Sequence, residues 1–158
     1  EREAPLTRQQ EHYYKEVRTE FLMLAEDEIV TSANVAVNLN KLLQISCGAV
    51  YANSGNTVEF DVSNRLNVIK EVVDESIAQA AAHGVTLTAA STVIWYAPVT
   101  STEIYLQANA RINRKGQSNK MTVVHIQGSP VERRLYKLLS GKLETHTQLI
   151  DLYNEEIK

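Results

Sequence analysis

The chain has 158 residues, 44% hydrophobic and 22% charged, with a formal net charge of -3, which predicts one soluble domain with a buried core. It has no apolar run of about 18 residues and its amino terminus is polar, so we expect neither a transmembrane helix nor a signal peptide. Its single cysteine, Cys47, excludes an internal disulfide and favours a cytoplasmic location, and its four histidines lack zinc-ligand spacing, which argues against a metal site.

The amino-terminal third is predicted to form two helices and a hairpin. Thr7 is a suitable N-cap for the first helix, and a second helix is predicted over 33–45. The first helix carries an apolar stripe at spacings of three and four, formed by Tyr13, Val17, Phe21 and Leu24. Strand-like runs at 48–51 and 57–60 flank a segment dense in turn-forming residues, so they are predicted to pair as a β-hairpin.

The middle of the chain predicts one long helix. Asp61 or Ser63 can cap it, and nothing breaks the helical pattern before Gly84, a natural C-terminal stop.

The last part alternates strands and helices. Strands are predicted at 92–96 and 121–126, separated by a helix that Ser101 or Thr102 can cap. A helical connection of this length predicts that the two strands are parallel, and ligands of such sheets sit beyond the carboxyl ends of the strands. After the second strand, the run 129–132 has the signature of a capping box, and a final helix is predicted over 145–156.

Two arginines, Arg111 and Arg114, lie three residues apart at the end of the helix between these strands. On one helical face, both guanidinium groups can converge on a phosphate. A solvated helix end with basic residues that complement the helix dipole explains the same pattern. Residues 111–142 hold eight of the 16 basic residues and a single acid, which is the local pattern expected of a polyanion-binding surface.

Several segments together resemble a known family. They are His-Gly-Val-Thr-Leu-Thr-Ala-Ala at 83–90, the two strands, Gln-Ala-Asn-Ala-Arg-Ile-Asn-Arg-Lys-Gly-Gln at 107–117, and Ser-Pro-Val-Glu-Arg-Arg-Leu at 129–135. In this order they resemble the second RecA-like lobe of superfamily 2 helicase-type ATPases, above all the SWI/SNF-like branch in phages and bacteria. The segment at 84–90 resembles motif V of that family, and 107–117 resembles motif VI. The resemblance covers most of residues 6–157.

The resemblance implies a set of roles. ATP would lie between two lobes, with Arg114 as the arginine finger and Arg111 as its phosphate-facing or positioning partner. Coupling of the nucleotide to the lobe would involve four residues, Gln107, Gly84, Thr86 and Leu87. Nucleic acid, DNA rather than RNA, would contact the basic residues Lys115, Lys120, Arg133 and Arg134.

Two departures from the family shape the expected function. The sequence has no phosphate loop and no Asp-Glu box, so ATP and magnesium are expected only together with a first lobe from elsewhere. Too few residues separate Ser76 from the motif V segment for the usual strand-helix units. We therefore expect a single α/β domain, helix-rich, with 6–60 as a helical segment and hairpin and 61–158 as a shortened RecA-like lobe.

Two functions remain open at this point. In the first, the chain is the second lobe of a nucleic-acid-dependent ATPase, inactive by itself. In the second, it is a non-catalytic remnant that self-associates, for example as a homodimer that exchanges helices to cover strand edges. Two or three strands with one long helix through 63–82 would favour the remnant.

Overall fold

The computed structural model describes residues 1–26, 32–52, 55–82, 91–111 and 120–141, with backbone alone for 21–26, 32–34 and 79–82. These residues contain five strands and five helices. In chain order they are β1 (Arg2–Glu3), α1 (Arg8–Glu26), α2 (Ser32–Cys47), β2 (Ala49–Tyr51), β3 (Thr57–Glu59), α3 (Ser63–Ala82), β4 (Thr92–Trp95), α4 (Thr102–Ala110), β5 (Thr122–Gln127) and α5 (Pro130–Leu139).

The main sheet has the strand order β1-β5-β4, and both pairings are parallel. Strands β4 and β5 pair in the register Val93 with Val123, so the parallel pair predicted from the helical connection is confirmed. Strand β1 was not predicted. It continues into a hydrogen bond in which the Ala4 amide donates to the Gln127 carbonyl at 2.8 Å.

The predicted hairpin is confirmed as β2 and β3, an antiparallel pair in a second, separate sheet. The predicted long helix is also confirmed, because α3 runs without interruption from Ser63 to Ala82. Of its two candidate caps, Asp61 accepts a hydrogen bond from the Ser63 amide at 2.9 Å, while Ser63 is already the first helical residue.

The main core lies where α1, α2, the hairpin and α5 meet. Tyr13 and Val17 pack against it, which confirms this half of the predicted stripe, whereas the side chains of Phe21 and Leu24 lie outside the described residues. Its buried members come from both the amino-terminal and the carboxyl-terminal parts of the chain: Tyr14, Val35, Leu42, Leu43, Ile45, Val50, Phe60, Val131 and Leu135.

A smaller cluster fixes α4 and α5 against the main sheet. Tyr105, Tyr136 and Leu139 are buried there, with Trp95 and Val99 packed against them. The helices themselves begin as the sequence predicts: Ser101 caps α4, and Ser129 caps α5 in a complete capping box. The helix predicted over 145–156 lies outside the described residues.

The described residues therefore form a mixed α/β, helix-rich structure with a short parallel sheet and a hairpin, as predicted at that level of detail. None of the described helices is long and apolar enough to cross a membrane.

Candidate functional site

Two of the residues predicted to act on a nucleotide lie at the end of α4. Gln107 and Arg111 are one turn apart, and the Arg111 amide donates to the Gln107 carbonyl at 3.2 Å as the helix ends. Both side chains are exposed, and the Gln107 amide group donates to the Glu103 carboxylate at 3.0 Å. The other predicted nucleotide-site residues, Arg114, Gly84, Thr86 and Leu87, lie outside the described residues.

The position of Arg111 is fixed by two polar contacts from α4 to the sheet. Trp95 donates from its indole Nε1 to Asn109 Oδ1 at 3.1 Å, two residues before Arg111. One turn earlier, the buried Tyr105 hydroxyl lies 2.9 Å from His125 Nε2 on β5. The end of α4 is therefore held to both β4 and β5, and the exposed Arg111 is presented from a rigid support.

The carboxyl edge of the parallel sheet, where a ligand was expected, is filled by Arg65 of α3. Its guanidinium is 3% exposed and donates to the Tyr96 carbonyl just beyond β4. It also lies 5.1 Å from the centre of the Tyr96 ring and 2.7 Å from Glu132 Oε1. The Arg65 guanidinium thus occupies this edge, and its positive charge is paired with the buried Glu132 carboxylate.

Glu132 organises the turn that follows β5. Its carboxylate is 0% exposed, and Oε2 accepts hydrogen bonds from the Gly128 and Ser129 amides at 2.8 and 3.0 Å. The Ser129 hydroxyl lies 3.1 Å from the same oxygen. One carboxylate oxygen therefore closes the cap of α5 while the other binds Arg65, which is how a buried charge is stabilised.

Side chains of the same polar network donate hydrogen bonds to the backbone carbonyls at the end of α2. The last carbonyls of a helix have no partner within the helix, and here side chains supply donors. Gln10 donates to the Ile45 carbonyl at 2.7 Å, and Tyr96 donates to the Cys47 carbonyl at 2.8 Å. Ser46 Oγ lies 2.9 Å from Ser129 Oγ, which joins α2 to the cap of α5.

The backbone of the amino-terminal segment covers the carboxyl edge of the sheet next to β5. A Cβ atom on Gly128 would lie 2.0 Å from the Ala4 carbonyl oxygen, so glycine is required for this close approach. Arg65 and Ala4 together leave the edge occupied by the chain itself. Sequence patterns revealed the capping box but neither of these two residues, because both act over a long sequence separation.

Burial also decides the chemistry of the thiol. It raises the pKa of Cys47 to about 11, so this side chain is a protonated thiol at neutral pH. A thiol in that state is a poor nucleophile. Burial likewise raises the pKa of Tyr136, whose hydroxyl donates to the Trp95 carbonyl at 3.1 Å.

The described residues among those predicted to bind nucleic acid differ in their exposure and in their partners. Lys120 is exposed, whereas Arg133 pairs with Glu3 of β1 at 2.8 Å. The hydrogen bond from Arg133 lowers the pKa of the Glu3 carboxyl, so this acid stays ionised near neutral pH. Arg134 is half-buried on α5, and Lys115 lies outside the described residues.

Among the described residues, no group of three or more histidine, cysteine, aspartate or glutamate side chains is placed to hold a metal ion. His125, the most buried of the described histidines, packs in an aromatic cluster. Its ring stacks on Tyr136 with 4.3 Å between the ring centres.

Comparisons with family models, with curated proteins and with solved structures found no match to this chain.

Proposed function

We propose that this chain is the second lobe of a nucleic-acid-dependent, helicase-type ATPase. The observation that carries the proposal is the position of Gln107 and Arg111, exposed at the end of the helix that connects two parallel strands. Trp95, the last residue of β4, donates from its indole Nε1 to Asn109 in this helix end at 3.1 Å, which ties the helix end to the carboxyl end of β4. Ligands of α/β sheets bind beyond the carboxyl ends of the strands. The motif VI resemblance supports the same assignment.

The proposed division of labour follows from which residues the chain has. Arg114 acts as an arginine finger that neutralises charge on the transferred phosphoryl group, and Arg111 helps to position it. The phosphate loop, the magnesium ligand and the residue that activates water come from a first lobe. A finger without a phosphate cradle gives no turnover, so the 158-residue chain alone is expected to have no ATPase activity.

The test supplies a first lobe. The chain is joined by a flexible linker to the first lobe of a SWI/SNF-like ATPase, and ATP hydrolysis is measured with and without duplex DNA. Hydrolysis that Arg114→Ala abolishes and Arg111→Ala weakens supports the proposal. Arg8→Ala, which removes an exposed arginine on α1, is the matched control and should leave hydrolysis unchanged.

Two outcomes contradict the proposal. One is a linked protein that is folded by circular dichroism, binds ATP and yet does not hydrolyse it. The other is turnover by the isolated chain that Arg114→Ala abolishes.

A second candidate function is a non-catalytic remnant that acts by self-association. It is favoured by the unbroken helix α3 and by the three-stranded main sheet among the described residues. The filled carboxyl edge favours it as well, since Arg65 occupies the place of a ligand there. A linked protein without hydrolysis, together with a stable homodimer of the isolated chain, would support this candidate over the first.

A further inference from the structure

Helix α3 carries a row of large apolar side chains that face solvent. Leu66, Val73 and Ile77 are 54%, 40% and 51% exposed, respectively. We refer to these three residues as the α3 stripe. At about 100° per residue they fall within roughly 40° of one another around the helix, so they form one continuous line.

The α3 stripe is not the face by which α3 attaches to the rest of the protein. Among the described side chains of α3, the buried ones are Arg65 and Val72, each 3% exposed. They lie roughly 100° around the helix from the centre of the stripe. The stripe therefore remains on the flank of an anchored helix, available to a partner.

We propose that the α3 stripe binds the α3 stripe of a second copy of this chain, with the two helices antiparallel. A two-fold axis near residues 71 and 72 places Leu66 opposite the second copy's Ile77, and the reverse. Such an interface is isologous, with the same patch used by both subunits, as in most homodimers.

The charges next to the stripe agree with this register. Lys70 and Asp74 are both exposed and lie on the same flank of the stripe. In the antiparallel pair, this flank of both helices faces the same side, and Lys70 is level with Val73 and Asp74 of the second copy. Two symmetric Lys70–Asp74 ion pairs therefore form. A parallel pair would instead put this flank of the two helices on opposite sides of the interface, so that Lys70 and Asp74 would not meet.

Both side chains are available for these contacts. Neither Lys70 nor Asp74 forms an ion pair with another described residue. The nearby Glu75, by contrast, already binds Arg2 of β1. The pairing of Leu66 with Ile77 and the pairing of Lys70 with Asp74 each define an alignment of the two helices. The two alignments differ by less than one residue, so the apolar side chains and the charges favour the same register.

The same charges argue against anionic occupants. Lys70 is accompanied on the exposed part of α3 by three acids, Glu71, Asp74 and Glu75, of which Glu75 is paired with Arg2. A surface with this acidic excess repels nucleic acid and anionic lipid. A second copy offers both the apolar surface and the matching lysine.

This inference deepens the second candidate function and is independent of the first. The ATPase test above uses the linked protein and reads out hydrolysis, whereas the dimer is tested on the isolated chain and reads out mass. Failure of one therefore leaves the other unaffected.

The test measures molecular mass by sedimentation across a wide range of concentrations. The unmodified chain should form a dimer, and Val73→Glu should make it monomeric. Lys70→Glu and Asp74→Lys should each weaken the dimer about tenfold, because two attractive pairs become repulsive.

An equimolar mixture of Lys70→Glu and Asp74→Lys should restore the affinity. In the mixed dimer, the glutamate introduced at position 70 of one copy meets the lysine introduced at position 74 of the other. The second pair joins the unchanged Asp74 of the first copy to the unchanged Lys70 of the other, so both pairs are attractive again. Rescue in the mixture separates contacts between copies from contacts within one helix, which mixing does not change.

Glu71→Lys is the matched control, because Glu71 is exposed on α3 away from the stripe and its reversal should leave the dimer unchanged. Circular dichroism confirms that each variant is folded. A chain that stays monomeric throughout, a dimer that survives Val73→Glu, or a mixture without rescue would each overturn the proposal.

Discussion

The ion pair between Arg65 and Glu132 lies in the interior, where desolvation of both groups is costly. The cost is offset because each group has several partners. Glu132 accepts from two backbone amides as well as from Arg65, and Arg65 also donates to the Tyr96 carbonyl. The pair therefore joins α3 to the carboxyl ends of β4 and β5, and neither partner is replaceable alone.

Loss of Arg65 should be far more damaging than loss of an exposed arginine. Arg65→Met leaves the Glu132 carboxylate buried without a countercharge, and we expect it to lower the free energy of unfolding by about 3–5 kcal/mol. Arg133→Met, which breaks the exposed pair with Glu3, is the matched control and should lower the free energy of unfolding by at most about 1 kcal/mol. Urea unfolding followed by fluorescence of Trp95 measures both.

The double variant Arg65→Met/Glu132→Gln gives a second check. It should lose less stability than the two single variants together, because no buried charge is left without a partner. Equal losses from Arg65→Met and Arg133→Met would show that burial does not strengthen the interior pair.

These two residues also show which parts of the site could be predicted from the sequence. The role of Glu132 as the acid of a capping box was predicted, because the box is a local pattern of four residues. The role of Arg65 was not, because its partner is 67 positions away and its helix is recognised by apolar spacing alone. Local hydrogen bonding leaves a sequence signature, whereas a contact between distant elements does not.

At the scale of elements, α4 and α5 are both capped by a serine, but the two serines lie in different surroundings. Ser101 is half-buried and accepts from the Ile104 amide at 3.3 Å. Ser129 is fully buried and contacts both Glu132 and Ser46. The second cap therefore supports the start of α5, the end of α2 and the turn after β5 at once.

Removal of the two caps should have unequal effects. Ser101→Ala is expected to lower the free energy of unfolding by about 0.5–1 kcal/mol, the usual cost of losing an N-cap that is not fully buried. Ser129→Ala should cost about 2 kcal/mol or more, because it also removes a partner of the buried Glu132 and Ser46. Urea unfolding at neutral pH measures both changes in stability. A larger loss of stability from Ser101→Ala than from Ser129→Ala would contradict the role assigned to Ser129.

Secondary-structure elements were predicted correctly where the sequence pattern extended over many residues. The parallel pairing of β4 and β5 followed from the length of the helical connection between them. Strand β1 was missed, because two polar residues, Arg2 and Glu3, show no strand periodicity. Its pairing depends on the close approach of Ala4 to Gly128, which only the folded chain reveals.

At the scale of the whole molecule, the amino-terminal strand changes the charge of a distant surface. The sequence predicts a basic block over 111–142, but β1 brings Glu3 against Arg133 of α5. The block is thus partly neutralised by an acid from the other end of the chain. Counting charges along the sequence overstates the positive surface that a polyanion would meet.

Nucleic-acid binding by this surface should therefore depend more on Lys120 than on Arg133. If the chain binds duplex DNA as proposed, Lys120→Ala should weaken binding and reduce the salt slope by about 1, as expected for one phosphate contact. Arg133→Ala should change binding little, and Glu3→Gln should strengthen it by releasing the Arg133 guanidinium.

Fluorescence anisotropy titrations at several salt concentrations measure these changes, with Lys15→Ala, which removes an exposed lysine on α1, as the control. A greater loss from Arg133→Ala than from Lys120→Ala would show that Glu3 does not neutralise this surface, and no binding at low salt would remove DNA as a partner of the isolated chain.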